Sequence, residues 1–178
     1  SGAARDVILD GSNRVSCLSV TAAATFQDLT LAHASNTTTV GGAMYVNQGS
    51  GTTVFRNCRF VQNHGTYGGA GRIDRPAFFD SCCIVSNGPG GGILANYGEF
   101  RDCLIASNRS IGSAGGGVAM QSGGAKSFVR CIISNNVAIR GDSGLSGSGG
   151  GVSYSGGTAP TFDDCDIVDN TCDYQGGG

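Results

Sequence analysis

The chain has 178 residues, of which 32 are glycine and only three proline, with 13% charged side chains and a formal net charge of −2. Glycine far above the usual ~7%, but without an every-third-residue period, excludes collagen, and a 39% apolar fraction with so little net charge excludes a disordered chain. The basic residues, ten Arg and Lys126, are scattered, so no stripe is available to neutralise a nucleic-acid backbone, and no apolar run is long enough to span a membrane.

One domain over residues 1–178 fits this length. The opening SGAARDVILDG lacks the basic and apolar regions of a secretory signal, so the chain reads as a mature product or a piece of something longer. Residues 1–25 read as a first coil or N-terminal edge, and residues 26–178 as six copies of one repeat.

Each copy opens with Phe, followed by an apolar or Cys residue at +3, an apolar residue at +5 and usually Asn at +8. In chain order these are Phe26/Leu29/Leu31, Phe55/Cys58/Phe60/Asn63, Phe79/Cys82/Ile84/Asn87, Phe100/Cys103/Ile105/Asn108, Phe128/Cys131/Ile133/Asn136 and Phe162/Cys165/Ile167/Asn170; the first has Ala34 at +8. A glycine signature follows each copy: Gly41-Gly42-Ala43-Met44, Gly68-Gly69-Ala70, Gly90-Gly91-Gly92-Ile93, Gly115-Gly116-Gly117-Val118, Gly149-Gly150-Gly151-Val152 and Gly176-Gly177-Gly178.

Successive Phe positions lie 29, 24, 21, 28 and 34 residues apart. Constant motifs at inconstant spacing are what a β-solenoid with variable loops produces, and the alternation of +3 and +5 against +4 is a strand period. The expected fold is all-β: a right-handed parallel β-helix of about seven coils, with Phe, Cys and Ile stacked inside as ladders. Asn63, Asn87, Asn108 and Asn136 are expected to form an amide ladder at a corner where Asn tolerates left-handed φ, and the glycine runs a second sharp corner. Outward charges alternate in sign from coil to coil, as at Arg56, Asp80 and Arg101 (+1) and at Asp102, Arg130 and Asp164 (+2).

Five of the eight cysteines, Cys58, Cys82, Cys103, Cys131 and Cys165, share the +3 column. They read as buried thiols, with disulfides between adjacent coils as the alternative; Cys17, Cys83 and Cys172 lie outside the column and are free to pair in an oxidising compartment. No metal or other cofactor is expected, since there is no CxxC pair and only His33 and His64 are available. Asn36 and Asn108 head Asn-x-Ser/Thr tripeptides and are candidate glycosylation sites, with Asn170-Thr-Cys a weaker one.

On these motifs, over residues 26–178, the chain resembles the repeat regions of chlamydial polymorphic membrane proteins, autotransporter-type adhesins with paired FxxN and GGA[ILV] motifs, and more broadly the pectin-lyase-like β-helices. Cys stands at +3 where the adhesins carry Asn. The resemblance implies extracellular display, adhesion or assembly, with partners that are further coils, other copies of the chain, or host and cell-surface ligands and glycans.

An enzyme acting on acidic polysaccharides as a lyase, hydrolase or epimerase is the competing expectation, because many β-helices do such work. Its candidate acids are Asp163, Asp164, Asp166, Asp169 and Asp173, or Asp74 with Arg72 and Arg75; a solvated face and a loop ion pair are the simpler readings, so no catalytic residue is assigned. The glycine-rich 141–151 loop offers only Asp142. The last glycine run stops where earlier copies enter a strand, which predicts covalent continuation or head-to-tail assembly.

Overall fold

The computed structural model describes residues 7–38, 41–47, 51–113, 115–141 and 147–174. Asp142 and the terminal Gly176-Gly177-Gly178 lie outside these residues.

The described chain is all strand and turn, wound as a right-handed parallel β-helix. The +4 to +6 residues build a seven-stranded Ile sheet, in stacking order β1 (Val7–Asp10), β4 (Leu29–Ala32), β8 (Arg59–Val61), β12 (Cys83–Val85), β16 (Leu104–Ala106), β20 (Ile132–Ser134) and β24 (Asp166–Val168). The segments after the glycine runs build a second sheet from β2 (Leu18–Val20), β6 (Met44–Val46), β10 (Gly71–Ile73), β14 (Ile93–Ala95), β18 (Val118–Met120) and β22 (Val152–Tyr154). The Phe sheet holds β3 (Thr25–Gln27), β7 (Thr53–Arg56), β11 (Ala77–Asp80), β15 (Gly98–Arg101), β19 (Lys126–Val129) and β23 (Thr161–Asp163). After the Asn corner come two short ladders, β5 (Ser35–Asn36), β9 (His64–Gly65) and β13 (Gly88–Pro89), then β17 (Arg109–Ile111), β21 (Val137–Ile139) and β25 (Thr171–Cys172).

Register follows the repeat. Phe26, Phe55, Phe79, Phe100, Phe128 and Phe162 pair in sequence, and their rings stack at centroid distances from 4.7 to 5.1 Å and within 16° of parallel. Leu31, Phe60, Ile84, Ile105 and Ile133 are fully buried beside them. Each stacked ring pair adds about 0.5–1.5 kcal/mol beyond its area burial, and no coil encloses a core without its neighbours.

Two sharp corners flank each Ile strand from β4 to β24, and the residue at each has a left-handed φ. They fall at +2 (Asp28, Asn57, Ser81, Asp102, Arg130, Asp164) and +7 (His33, Gln62, Ser86, Ser107, Asn135, Asp169), with φ between 48° and 57°. This corrects the expectation for the Asn column: the residue before each Asn takes the strained turn, which swings the Asn side chain inward.

Asn63, Asn87, Asn108 and Asn136 are buried. Both the backbone N–H and Nδ2 of Asn63 donate to Oδ1 of Asn87 at 3.0 Å, and the same pair of bonds runs from Asn87 to Asn108 and from Asn108 to Asn136. Asn136 continues the row to Asn170 at 3.0 and 2.9 Å. Nδ2 of each also caps a strand carbonyl of the preceding coil, as Asn108 does on Ile84 at 2.9 Å. At the first coil Ala34 keeps only the backbone half of the pattern, donating its N–H to Asn63 Oδ1 at 2.9 Å.

The glycine corner needs small residues for space as much as for φ. Gly115 has φ of 74°, and a Cβ on Gly116 would lie 2.3 Å from the Gly150 carbonyl oxygen of the next coil.

Outside, Arg56 lies 3.9 Å from Asp80, and Arg130 makes two bonds of 2.7 and 2.8 Å to Asp102. Arg101 keeps the alternation, lying in register with Asp80, but its guanidinium rests 5.3 Å over the Phe78 ring. Such exposed pairs each contribute ~0.2–1 kcal/mol.

Asn108→Ala removes the acceptor of the Asn87 backbone N–H and the side-chain donor to the Ile84 carbonyl in the interior, while Asn87 Nδ2 keeps Phe60 and Val85. It is expected to lower unfolding free energy by on the order of 3 kcal/mol, measured by urea denaturation. Asn135→Ala, at an exposed corner, should cost about 1 kcal/mol or less.

Candidate functional site

The first group of interest is the thiol column. Cys58, Cys82, Cys103 and Cys131 are buried at the corner between the Phe and Ile sheets, Cys165 is half-buried, and all eight cysteines of the chain are free. Their place there has a polar reason that the sequence did not reveal. Each thiol faces a carbonyl two residues back in its own coil, such as Cys103 Sγ to Arg101 at 3.2 Å, and the four buried ones also face the Phe carbonyl of the coil before, such as Cys103 Sγ to Phe79 at 3.5 Å. Cys is apolar enough for the interior and still a weak donor.

Hydrogen bonding to neighbouring sulfurs and then burial push Cys58 and Cys103 well above the ordinary thiol range. Cys82 and Cys131 are drawn down as acceptors in those contacts, against burial. Desolvation opposes the thiolate at all four, and burial keeps reagents from reaching any of them. Under native conditions an alkylating reagent is therefore expected to spare Cys58, Cys82, Cys103 and Cys131 while modifying the partly exposed Cys83; peptide mapping after labelling reads this out, and rapid labelling of the four would contradict it.

The candidate acids do not converge. Asp163, Asp164, Asp166, Asp169 and Asp173 are all exposed on the last described coil, but Asp163 lies on the Phe sheet, Asp166 on the Ile sheet, and Asp164 and Asp169 at the two opposite corners. Asp173 accepts the Arg140 backbone N–H at 2.7 Å. Asp74 is held in a knot: its carboxylate accepts Arg72 Nε at 2.9 and 3.1 Å, the Tyr45 hydroxyl at 2.9 Å and Asn96 Nδ2 at 2.6 Å, while Arg75 bonds its backbone carbonyl at 3.0 Å. Burial, then the bond to Asp74, raises the Tyr45 phenol above its usual range. This knot ties together three consecutive coils and occupies both carboxylate oxygens with the protein's own donors. Among the described residues, no three His, Cys, Asp or Glu side chains gather into a metal site.

The glycosylation expectations separate. Asn36 is partly exposed, its Nδ2 donating to Ser16 Oγ at 3.0 Å and its Oδ1 accepting the Thr38 N–H at 3.0 Å. Asn108 is fully buried, with Nδ2 committed to Ile84 and Asn136. The expectation for Asn108 is thereby corrected, since a sugar on that nitrogen is incompatible with the ladder; Asn170 is committed in the same way through Ile133 at 2.8 Å.

The feature with no sequence signature is an open groove of about 600 Å³ beside the Asn corner, lined by His33, Gln62, His64, Ser86, Ser107 and Arg109 among others. Coil stacking assembles it from the +7 column and the short-strand column in which Gly88 sits next to both His64 and Arg109. The Arg109 guanidinium has no partner among the described residues. His33 bonds Asp10 Oδ2 through Nδ1 at 3.0 Å and Gln62 Oε1 through Nε2 at 2.9 Å.

With an acceptor at each ring nitrogen the imidazolium is favoured, so the His33 pKa is raised, first by Asp10 and then by Gln62, and Asp10 is lowered, first by His33. The charged pair exists at pH values above the Asp10 pKa and is lost as pH rises through that of His33. An NMR titration is expected to place the His33 midpoint above 6.5, the ordinary histidine value, and Asp10→Asn to bring it down; an unchanged midpoint in that variant would rule the pairing out.

A family model described as a right handed beta helix region matches residues 7–172. No curated protein and no solved structure matches the chain.

Proposed function

The chain belongs to the right-handed β-helix family, and from that premise we propose that it works outside the cytoplasm, at or beyond a cell surface, as a rigid structural or adhesive element. The observation that carries this reading is the disposition of its polar groups. The amides turn inward to hold the coils in register, the Asp74 carboxylate is enclosed in its own knot, and the remaining candidate acids are dispersed around one coil. What faces solvent is a long exterior on which each side-chain position recurs once per coil, about every 4.8 Å. A ligand lying along the axis meets several such positions at once, and individually weak contacts then reinforce one another.

The buried thiol column suits an oxidising compartment, because reagents that attack thiolates do not reach it. The likeness of the glycine signatures to those of chlamydial surface adhesins points in the same direction. Host or cell-surface glycans and proteins are the partners this role calls for.

The open groove favours one second reading, a carbohydrate-active enzyme of the pectin-lyase-like type, because Arg109, His64 and His33 gather basic groups where an acidic sugar chain would lie. Incubating the purified chain with immobilised acidic polysaccharides and with cultured cells separates the two. Retention without cleavage is expected. Release of shortened or unsaturated sugars, abolished by Arg109→Ala, would replace the adhesive reading with the enzymatic one, and absence of both retention and cleavage would remove the adhesive role.

A further inference from the structure

The outer face of the Ile sheet carries a pattern that the fold does not use. Reading across the strands in register, the +4 column runs Ile8, Thr30, Arg59, Cys83, Leu104, Ile132, Asp166. The parallel +6 column runs from Val61 through Val85, Ala106 and Ser134 to Val168. Ile132 is 45% and Val168 47% exposed, and Cys83, Leu104, Val61, Val85 and Ala106 are half-buried. Arg59 and Asp166 are exposed and make no ion pair or side-chain hydrogen bond among the described residues. An apolar strip is thus bounded by one free cation and one free anion, each two coils from Leu104.

We propose that this face is a self-association surface, on which a second copy of the chain packs face to face about a two-fold axis running along β16. Rotation about that axis reverses the coil order and keeps the strand direction. Leu104 then meets Leu104 of the second copy and Ala106 meets Ala106, while Cys83 meets Ile132 and Val61 meets Val168. Arg59 falls opposite Asp166, twice over, once at each end of the contact. A two-fold parallel to the solenoid axis would instead set Arg59 against Arg59 and Asp166 against Asp166, which charge repulsion disfavours. A shift of the β16 axis by one coil breaks both ion pairs, so charge fixes the register as well as the partner.

The overlap covers five coils, about 24 Å of the stack, and a width of about 15–20 Å, the reach of a strand with its two corners. That footprint is smaller than the roughly 800 Å² per partner of stable complexes, so association is weak and depends on concentration. The surface lies along the side of the solenoid, so this pairing is distinct from end-to-end assembly.

Sedimentation of the full chain across a concentration series, at low and high salt, tests the proposal. Arg59→Asp or Asp166→Arg alone is expected to weaken self-association at least tenfold, and the two together to restore it, with circular dichroism verifying the fold of each variant. In a Cys83→Ser background, Leu104→Cys should yield an intermolecular disulfide under mild air oxidation, because the axis places the two introduced thiols opposite each other; Thr30→Cys, whose counterpart lies beyond Asp166, should not. A chain that stays monomeric to millimolar concentration and gives no Leu104→Cys dimer would overturn the proposal. So would a double charge reversal as defective as either single one, or equal crosslinking from Thr30→Cys.

Discussion

The hydrogen bond from one asparagine amide to the next, repeated from coil to coil, is the constraint on which the rest of the solenoid depends. The strands are two to four residues long, too short to fix their own alignment by pattern alone, and a slip of one residue turns every side chain to the wrong face. The Asn column removes that freedom. Each Oδ1 receives two donors from the coil before it, and each Nδ2 caps a carbonyl further back; a slipped coil leaves those buried groups without partners, at about 1–3 kcal/mol apiece. The stacked rings and aliphatic columns contribute most of the stabilisation, and the amides specify which residue lies above which. The thiols extend the same logic to the neighbouring corner with weaker bonds.

How much of this the sequence disclosed depends on whether residue type or chain geometry sets a position. Phe128, Ile133 and Asn136 were legible because the interior admits few residue types, so that Phe recurs in every copy, Asn in all but the first and an apolar residue at every +5 position. The left-handed corners were not, since the outward turn at +2 accepts Asp28, Ser81 or Arg130 and that at +7 accepts His33, Gln62 or Asn135; solvent takes the side chain in each case, so composition carries no mark of the backbone's shape. The inward turn of Asn108, which removes it as a sugar acceptor, follows from that unseen corner. The groove was illegible for a different reason: His64 and Arg109 become neighbours of Gly88 only through coil stacking, and no linear motif encodes such an adjacency. Lys126, the chain's one lysine, is buried with its ammonium on the Gly124 carbonyl at 3.0 Å, where its sequence context suggests only a surface charge.

The division between a uniform interior and a varied exterior also frames the functional reading. Loop lengths between copies vary without disturbing the ladders, whose register is the same from coil to coil. The inner residues are therefore tied to the fold, and recognition falls to the outward positions, to the groove, and to the faces of the sheets.

The orientation of the backbone hydrogen bonds has a mechanical consequence. In all the sheets they run along the solenoid axis, from each coil to the next. Tension applied between the two ends therefore loads the coils in series, and the weakest junction gives way first, releasing some twenty to thirty-five residues of slack while the others keep their shape. Force applied across the axis is shared by many coils at once. A rod of this construction yields stepwise when pulled lengthwise and resists when pressed from the side.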